Sequence, residues 1–387
     1  MDGSTAIAAL LEPLTIRGVT FQNHFAMAPM TRSFCPKGLP TRANAAYYRR
    51  RADGHAGLVV TEAIGVDHPA AIGDTGLGET DLPIFSGSDA VAAWRLVVDE
   101  VHAGGSRIIP QLWHQGAMRL PGTGLHPGLP AFSPSGHYGD KAKADPNYRA
   151  MAAKLDRPGP IPTEAEIVEV IESFGRAAEQ AVEAGFDGLA LHGSSGYLID
   201  QFLWGETNRR ADRWGGDSRE RTRFAVELVR RVRRAIGENR PLIFRFSQWK
   251  QQDFRARLAE TPEELEGILG PIADAGVDLF DANVRYFDTP AFKGSPLSLA
   301  GWAKKLTGKL SGTVGGIGFD RGMFDTLDKE ATPGINNLTR VIERFEAGEF
   351  DMISIGRAIL SDPDWIRKAT RGEALPSFNF DALKRLF

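Results

Sequence analysis

Three hydrogen-bond donors of different kinds lie in one short segment of the chain. His192 supplies an imidazole, Ser195 a hydroxyl and Tyr197 a phenol, directly after the apolar run 188–191. That run is typical of a buried strand, which places all three donors near the carboxyl end of the strand. A single histidine or tyrosine at such a position is usually structural. Three donors together indicate a site that holds a polar ligand atom.

The segment 242–247 carries a candidate of another kind, the guanidinium of Arg245. Side chains alternate along a strand, so Arg245 shares a face with Ile243 and Ser247, while the phenylalanines of the segment take the opposite face. A buried guanidinium keeps its charge and requires an anion or several acceptors. Two interpretations stay open, a bound anionic ligand and an internal salt bridge to a carboxylate of the barrel.

Glycine-rich turns follow two strand candidates near the carboxyl end of the chain. Gly315 and Gly316 follow the segment 312–314, and Gly356 and Arg357 follow the next one. Either turn alone is compatible with a tight turn without a ligand, but the two together are typical of the phosphate site of barrel enzymes. With Arg245 they predict an elongated phosphorylated ligand. FMN has that shape.

Short apolar runs alternate with longer amphipathic ones along the chain, which is typical of repeated strand–helix units and a parallel sheet. The strand candidates are 25–28, 58–61, 107–111, 188–192, 242–246, 279–282, 312–314 and 352–355. The clearest helix candidates are 89–102, 163–184, 218–236 and 261–275. Eight pairs, without a Gly-x-Gly-x-x-Gly turn after the first strand, predict an α/β fold, a single (β/α)8 TIM barrel.

One connection is much longer than the others. About fifty residues rich in Gly, Pro and His separate the third strand candidate from the helix that begins near Thr163. We interpret this insertion, at about 114–162, as a lid over the active site, because it follows the carboxyl end of a strand. No linker composition divides the chain, so we expect residues 1–387 to form one FMN-binding domain with its core at about 14–375.

Composition excludes several classes of protein. The 46 basic and 49 acidic residues nearly cancel, which argues against a nucleic-acid partner, and the arginine clusters at 49–51 and 230–234 are typical of solvated helix faces. One cysteine, Cys35, cannot form an internal disulfide or an iron–sulfur centre. No apolar run approaches the ~20 residues that span a bilayer. We expect a cytoplasmic monomer or homo-oligomer with a small-molecule substrate, no membrane contact and no metal site.

Several segments carry motifs of a known family, and residues from about 14 to 375 resemble the Old Yellow Enzyme family, which comprises the NADH:flavin oxidoreductases and the ene-reductases similar to 12-oxophytodienoate reductase. The most specific segment is 192–203, HGSSGYLIDQFL, which 208–216 continues with NRRADRWGG. The segments APMTR at 28–32, TEA at 61–63 and QLWH at 111–114 also resemble family motifs.

The resemblance implies a role for each matching residue. FMN would be contacted by Pro29, Met30, Thr31, Ala63, Gln111 and Arg245, with its phosphate at Gly315, Gly316, Gly356 and Arg357. NADPH or NADH would donate hydride to the flavin, and His192 would hold the carbonyl oxygen of an activated alkene. Tyr197 would protonate the alkene. Trp113 would lie near the substrate, and we expect Tyr286 and Phe287 to line the same pocket.

Two departures from the family pattern affect this expectation. The family usually has Asn or His where this chain has Ser195, whose shorter side chain would reach a substrate directly or through water. The residues after 377 are also too few for the iron–sulfur and nicotinamide-binding extension of some relatives. The Ser195 departure leaves a flavin-dependent dehydrogenase or oxidative N-demethylase as the alternative within the family. Outside it, a flavin-binding protein without catalysis and a barrel lyase that uses Lys250 are weaker alternatives.

Overall fold

Eight parallel strands close into a barrel in this computed structural model, in the order in which they occur along the chain. The structure describes residues 3–75, 78–143, 153, 159–321 and 332–387. The barrel strands are β3 (Phe25–Met27), β4 (Leu58–Gly65), β5 (Arg107–Trp113), β6 (Leu189–Ser195), β7 (Leu242–Lys250), β8 (Leu279–Asn283), β9 (Leu310–Val314) and β10 (Met352–Ile355). The predicted TIM barrel and its eight strands are confirmed. Several strands continue two to four residues beyond the predicted carboxyl ends.

Helices cover the outside of the barrel. They are α1 (Gly3–Leu11), α2 (Arg42–Asp53), α3 (Gly87–Ala103), α4 (Glu164–Ala184), α5 (Leu198–Leu203), α6 (Arg223–Ile236), α7 (Pro262–Asp274), α8 (Leu299–Thr307), α9 (Leu338–Glu346), α10 (Arg357–Ser361), α11 (Trp365–Thr370) and α12 (Asp381–Lys384). The helix predicted at 218–236 begins only at Arg223, after a single 3-10 turn at Glu220–Thr222. None of the described helices has the length and apolar character needed to cross a bilayer.

Local sequence explains where the long helices begin and end. The Thr163 side chain accepts a hydrogen bond from the Glu166 backbone N–H, and the Glu166 carboxylate accepts one from the Thr163 N–H, which forms a capping box. At the other end of α4, Gly185 takes a left-handed conformation with φ of 94°. Thr261 caps α7 in the same way as Thr163 caps α4, by accepting from the Glu264 N–H.

A short antiparallel hairpin closes the amino-terminal end of the barrel. Its strands are β1 (Leu14–Ile16) and β2 (Val19–Phe21), and the side chains of Ile16 and Phe21 join the apolar cluster inside the barrel. Ile243 belongs to the same inner cluster, whereas the β7 phenylalanines pack in the larger cluster between barrel and helices. The alternation predicted for β7 is therefore confirmed. Apolar packing fills the amino-terminal half of the barrel, so a ligand site lies at the carboxyl end.

The long insertion after β5 is irregular where it is described. It contains two short 3-10 turns, Gly116–Met118 and Lys141–Lys143, and residues 144–152 and 154–158 lie outside the described residues. Arg119 organises its first part, because the buried guanidinium donates to the carbonyl oxygens of Ile72, Thr123, His126 and Leu129 at 2.6–3.2 Å. This network attaches the insertion to the loop that follows β4.

Candidate active site

A cavity of about 420 Å³ opens at the carboxyl end of the barrel. Most of the residues predicted for the site contribute to its wall, and they come from six of the eight strand ends. The predicted residues on the wall are Pro29, Met30, Thr31, Gln111, His192, Ser195, Tyr197, Arg245, Gly315, Gly316, Gly356 and Arg357. Segments far apart in the sequence therefore meet at one cavity, as the barrel topology requires.

Four other predicted residues are not on the cavity wall. Trp113 is buried behind the donors, with its ring 4.9 Å from that of Tyr197 and 6.3 Å from that of His192, between ring centroids. Ala63 is buried in the β4–β5 ladder. Tyr286 packs against the Gly316 turn, and Phe287 is buried in the outer core. Trp113 can thus support the donors without touching a ligand.

Arg245 forms a salt bridge inside the protein and also lines the cavity. Its guanidinium forms a salt bridge with Asp281, the residue opposite it on β8, and also donates from Nη2 to Oδ1 of Asn283 at 3.1 Å. The other carboxylate oxygen of Asp281 is buried and has no hydrogen-bond partner among the described residues. The salt bridge that the sequence left open therefore exists, and Arg245 still borders the ligand space.

The imidazole of His192 is held in its neutral form. Burial lowers its pKa well below the usual value, and the positive charge of Arg245 lowers it further. The Ser194 hydroxyl lies 3.2 Å from Nδ1 of the ring. Because that contact occupies Nδ1, Nε2 is the ring nitrogen left for a ligand in the cavity, and a neutral ring protonated there acts as a hydrogen-bond donor.

Ser195 has an unusual backbone conformation that several contacts fix. Its φ of 65° lies in the left-handed region that favours glycine and asparagine. Its N–H donates to the Ser247 hydroxyl at 2.9 Å, and its carbonyl oxygen accepts from the Gln251 N–H at 3.2 Å. The Ser195 hydroxyl accepts a hydrogen bond from Nδ2 of Asn283 at 2.9 Å. The side chain is therefore aimed by the neighbouring strands β7 and β8.

The Tyr197 phenol has a neighbour that the sequence did not reveal. Nε2 of Gln251 donates to the phenol oxygen at 3.0 Å, and both residues line the cavity. The turn before the tyrosine requires glycine, because Gly196 has φ of 83° and a Cβ there would lie 1.8 Å from Oε1 of Gln252. Nε2 of Gln252 also donates to the Gly196 carbonyl oxygen at 2.9 Å. The phenol thus sits on a tightly held turn.

A fully buried ion pair lies beneath this turn. Nζ of Lys250 is 2.7 Å from Oδ1 of Asp200, and the other carboxylate oxygen accepts from the Gly196 N–H at 2.7 Å. Burial lowers the pKa of Lys250 and raises that of Asp200, while their mutual attraction opposes both effects. Lys250 is not on the cavity wall. It is therefore not placed to form a Schiff base with a ligand, which removes the support for a lyase.

The glycine turns form the opposite wall of the cavity. Asn337 fixes the first turn, because Oδ1 accepts from the Gly318 N–H at 3.0 Å and Nδ2 donates to the Gly316 carbonyl oxygen at 2.7 Å. A Cβ on Gly356 would meet only the sulfur of Met30, at 3.8 Å, so that glycine faces open space. Bare backbone beside the Arg357 cation fits a phosphate group. The residues present therefore fit FMN.

Further wall residues were not predicted for the site from the sequence. They are Ala28, Arg32, Glu79, Trp249, Gln251, Phe254, Asn283, Val284, Arg285, Val314, Ile317, Ser354, Leu360, Phe378 and Leu383. The last two belong to the carboxyl-terminal segment, beyond the predicted core. Arg32 holds this segment by donating to the carbonyl oxygens of Ala382, at 2.5 Å, and Arg385, at 3.1 Å. No described residue of the long insertion borders the cavity.

Comparison with known proteins agrees with this architecture. The sequence model of the NADH:flavin oxidoreductase / NADH oxidase family matches residues 9–293. An NADH oxidase of Thermoanaerobacter brockii is 29% identical over 362 residues, which cover 92% of this chain and 50% of that protein. The 12-oxophytodienoate reductase 7 of Oryza sativa subsp. japonica is 29% identical over 384 residues, covering 93% of this chain and 87% of that protein. The chain thus spans half the length of the first relative and most of the second.

A solved structure of morphinone reductase in complex with tetrahydroNAD superposes with a TM-score of 0.77 and 25% identity, and the match covers 97% of this chain and 94% of that one. The family match extends over well more than half of the chain and includes the donor segment on β6 and the arginine on β7. The protein therefore belongs to the NADH:flavin oxidoreductase / NADH oxidase family, the Old Yellow Enzyme family of flavin-dependent oxidoreductases.

Proposed function

We propose that the protein binds FMN, accepts hydride from NADPH or NADH, and reduces the activated C=C bond of α,β-unsaturated carbonyl compounds. The observation that carries this proposal is the meeting of His192, Ser195 and Tyr197 at one cavity with Gln111 and Arg245. When bound, FMN supplies the hydride carrier of such a reaction. The entire barrel would act as one FMN-binding unit.

Three parts of the wall suit three parts of FMN. The amide of Gln111 can pair with polar edges of the ring system, and the Arg245 guanidinium can stabilise negative charge there. The bare turns on β9 and β10, with Arg357, suit the phosphate. Further ring contacts would come from residues after β3, namely Pro29, Met30 and Thr31.

The donors suit an electron-poor alkene. Neutral His192 and the Ser195 hydroxyl would bind the substrate's carbonyl oxygen and stabilise the negative charge that develops there as hydride reaches the β-carbon. Tyr197 would give its proton to the α-carbon. Because Gln251 donates to the phenol oxygen, that contact does not use the phenol proton, and it would stabilise the phenolate left after transfer. In the overall reaction, the alkene, NAD(P)H and one proton are converted to the saturated product and NAD(P)+.

A second candidate within the family is a flavin-dependent dehydrogenase or oxidative N-demethylase. The observation that favours it is Glu79, a carboxylate on the cavity wall that could pair with a protonated amine. Burial raises the pKa of Glu79, and the Thr75 hydroxyl donates to it at 2.5 Å. Because Oε2 of Glu79 already accepts hydrogen bonds from the Thr75 N–H and hydroxyl, part of this carboxylate is occupied within the protein, and we rank this function second.

The two functions are separated by one set of measurements on the purified protein. We expect a yellow protein with bound FMN that NADPH or NADH reduces without oxygen, and that 2-cyclohexen-1-one then reoxidises with formation of cyclohexanone. N,N-dimethylbenzylamine, with dioxygen as acceptor, is the matched test of the second function. A protein that stays colourless with added FMN, or a reduced flavin that the enone does not reoxidise, would overturn the proposed function.

A further inference from the structure

We propose that Asn283, at the end of β8, is a positioning residue for the substrate, because it orients and polarises the Ser195 hydroxyl as the second donor beside His192. This inference rests on the proposed function and concerns the same cavity. It also accounts for the short side chain at position 195, where the resemblance leads one to expect an amide or an imidazole. The amide is present, but it comes from β8.

The orientation of the Asn283 amide follows from its neighbours. A guanidinium has donors only, so the amide atom that faces Arg245 at 3.1 Å must be the oxygen. The amide nitrogen then points to the serines, 2.9 Å from Oγ of Ser195 and 3.5 Å from Oγ of Ser194. The shorter contact is the hydrogen bond, because the longer one lies at the limit of such bonds.

The hydrogen bond from Asn283 determines which group the Ser195 hydroxyl can donate to. The Ser195 oxygen accepts from Asn283, so its own proton is available either to Ser194, whose oxygen is 3.3 Å away, or to a ligand. The Ser194 oxygen is a weak acceptor for that proton, because 3.3 Å lies beyond the usual range of about 2.5–3.0 Å for O–H···O hydrogen bonds. A ligand oxygen that approaches Ser195 at ordinary hydrogen-bond distance is thus the better acceptor for its proton. A chain from guanidinium to amide to hydroxyl polarises each successive donor.

Both ends of this chain are rigid, which makes it suited to positioning. The Asn283 carbonyl oxygen accepts from Nε1 of Trp249 at 3.0 Å, so the backbone that carries the amide is tied to β7. The Ser195 backbone is tied to Ser247 of the same strand and to Gln251, the residue that follows the strand. Asn283 and Ser195 both border the cavity, one on each side of Arg245. The amide is therefore fixed relative to the hydroxyl before a ligand binds.

The test is a double-mutant cycle on the FMN-loaded protein with Asn283→Ala, Ser195→Ala and the combination. The probes are phenol, whose binding is followed by the change in the flavin spectrum, and the rate of flavin reoxidation by 2-cyclohexen-1-one. We expect Asn283→Ala to weaken phenol binding and slow reoxidation roughly three- to tenfold, the effect of one hydrogen bond. The double variant should be no worse than Ser195→Ala, because Asn283 acts through that hydroxyl. The control is Asn239→Ala, at an exposed position at the other end of the barrel.

Three results would overturn the inference. In the first, Asn283→Ala leaves phenol binding and flavin reoxidation unchanged. In the second, the losses caused by the two single replacements add up in the double variant. In the third, Asn283→Ala loses FMN, or slows reduction by NADPH, as much as it weakens phenol binding. The last would show that the amide serves Arg245 instead. If the wild-type protein itself neither binds phenol nor is reoxidised by the enone, the proposed function fails together with the inference. If the wild-type protein is reoxidised by the enone but the losses in the double variant are additive, the proposed function stands and only the role of Asn283 is refuted.

Discussion

The guanidinium of Arg245 and the carboxylate of Asp281 form a buried ion pair across the neighbouring strands β7 and β8. Arg245 is the residue proposed to stabilise negative charge on reduced FMN. An adjacent carboxylate offsets part of that positive charge. The strength with which the site would favour reduced flavin is therefore expected to depend on the pair, not on the arginine alone.

The first prediction concerns the reduction potential. Asp281→Asn removes the compensating negative charge and keeps a side chain of similar shape. We therefore expect the midpoint potential of bound FMN to rise by roughly 30–60 mV. For two electrons this shift corresponds to stabilisation of the reduced flavin by about 1.4–2.8 kcal/mol. The potential is measured by anaerobic titration with a reference dye. Asp278→Asn is the matched control, because Asp278 pairs with Arg17 and Arg233 at the opposite end of β8. Equal shifts in both variants would contradict this account.

The second prediction separates the two halves of the catalytic cycle. Tyr197→Phe removes the phenol proton but keeps the ring that packs on Trp113. We expect flavin reduction by NADPH to stay near its wild-type rate and reoxidation by 2-cyclohexen-1-one to slow by roughly 10²- to 10⁴-fold, the usual contribution of a general acid. Stopped-flow absorbance measures both rates. Equal reoxidation rates for variant and wild type would remove Tyr197 from the role of proton donor.

The third prediction concerns Gln251, whose Nε2 donates to the Tyr197 oxygen at 3.0 Å. In the proposed reaction this contact would stabilise the phenolate that remains after proton transfer. Gln251→Leu should therefore slow reoxidation by the enone roughly tenfold and leave reduction by NADPH unchanged. In the Tyr197→Phe background the same replacement should have no effect, since the phenol is absent. Gln248→Leu is the control, because Gln248 contacts Leu258 and Ala259 instead. A slowing that persists without the phenol would contradict the assignment.

The fourth prediction tests the phosphate site. Leucine at position 356 would extend into the open space that Gly356 faces, so Gly356→Leu should weaken FMN binding at least tenfold. We expect the variant to keep its secondary structure and to be purified with little or no flavin. Fluorescence titration of the flavin-free protein with FMN gives the affinity. Gly267→Leu on α7 is the control, because a Cβ there meets nothing within 4 Å. Full retention of FMN would show that the phosphate lies elsewhere.

The sequence predicted the barrel because its information is local and periodic. Alternation along the segment 242–247 places Arg245 on the inner face, and the structure has it there. The same reasoning located the glycine turns, since loops after parallel strands meet at one end of a barrel. The family resemblance then connected these positions with a flavin, and the family is confirmed.

The contacts that refine the site depend on geometry that no local pattern encodes. Asn283 and Gln251 lie in segments without a motif, and only the register between β6, β7 and β8 brings them to the serine and the phenol. The sequence allowed for a carboxylate partner of Arg245, but it could not identify that partner as Asp281. Phe378 reaches the cavity because the carboxyl-terminal segment folds back across the barrel end. Contacts of this kind require the tertiary structure.

Glu62 leads to a prediction about pH. Its carboxylate is fully buried and accepts hydrogen bonds from the N–H groups of Arg32 and Ser33, at 2.9 and 3.4 Å, and from the Tyr48 phenol at 3.4 Å. Burial raises the pKa of Glu62 from 4.5 to about 7, against the opposing effect of these contacts. The folded protein therefore holds a proton that the unfolded chain releases at lower pH.

The fifth prediction follows from the direction of that shift. A raised pKa in the folded state gives stability that is fully present below about pH 4.5 and is lost as the pH rises to about 7. Glu62→Gln does not titrate, so its free energy of unfolding relative to the wild type should rise by about 3 kcal/mol between pH 4.5 and pH 8. Urea denaturation across this range measures the difference. Glu238→Gln, at an exposed position, should follow the wild-type curve. A constant difference between Glu62→Gln and wild type would mean that Glu62 stays ionised in the folded protein, its charge sustained by Arg32 and the Tyr48 phenol.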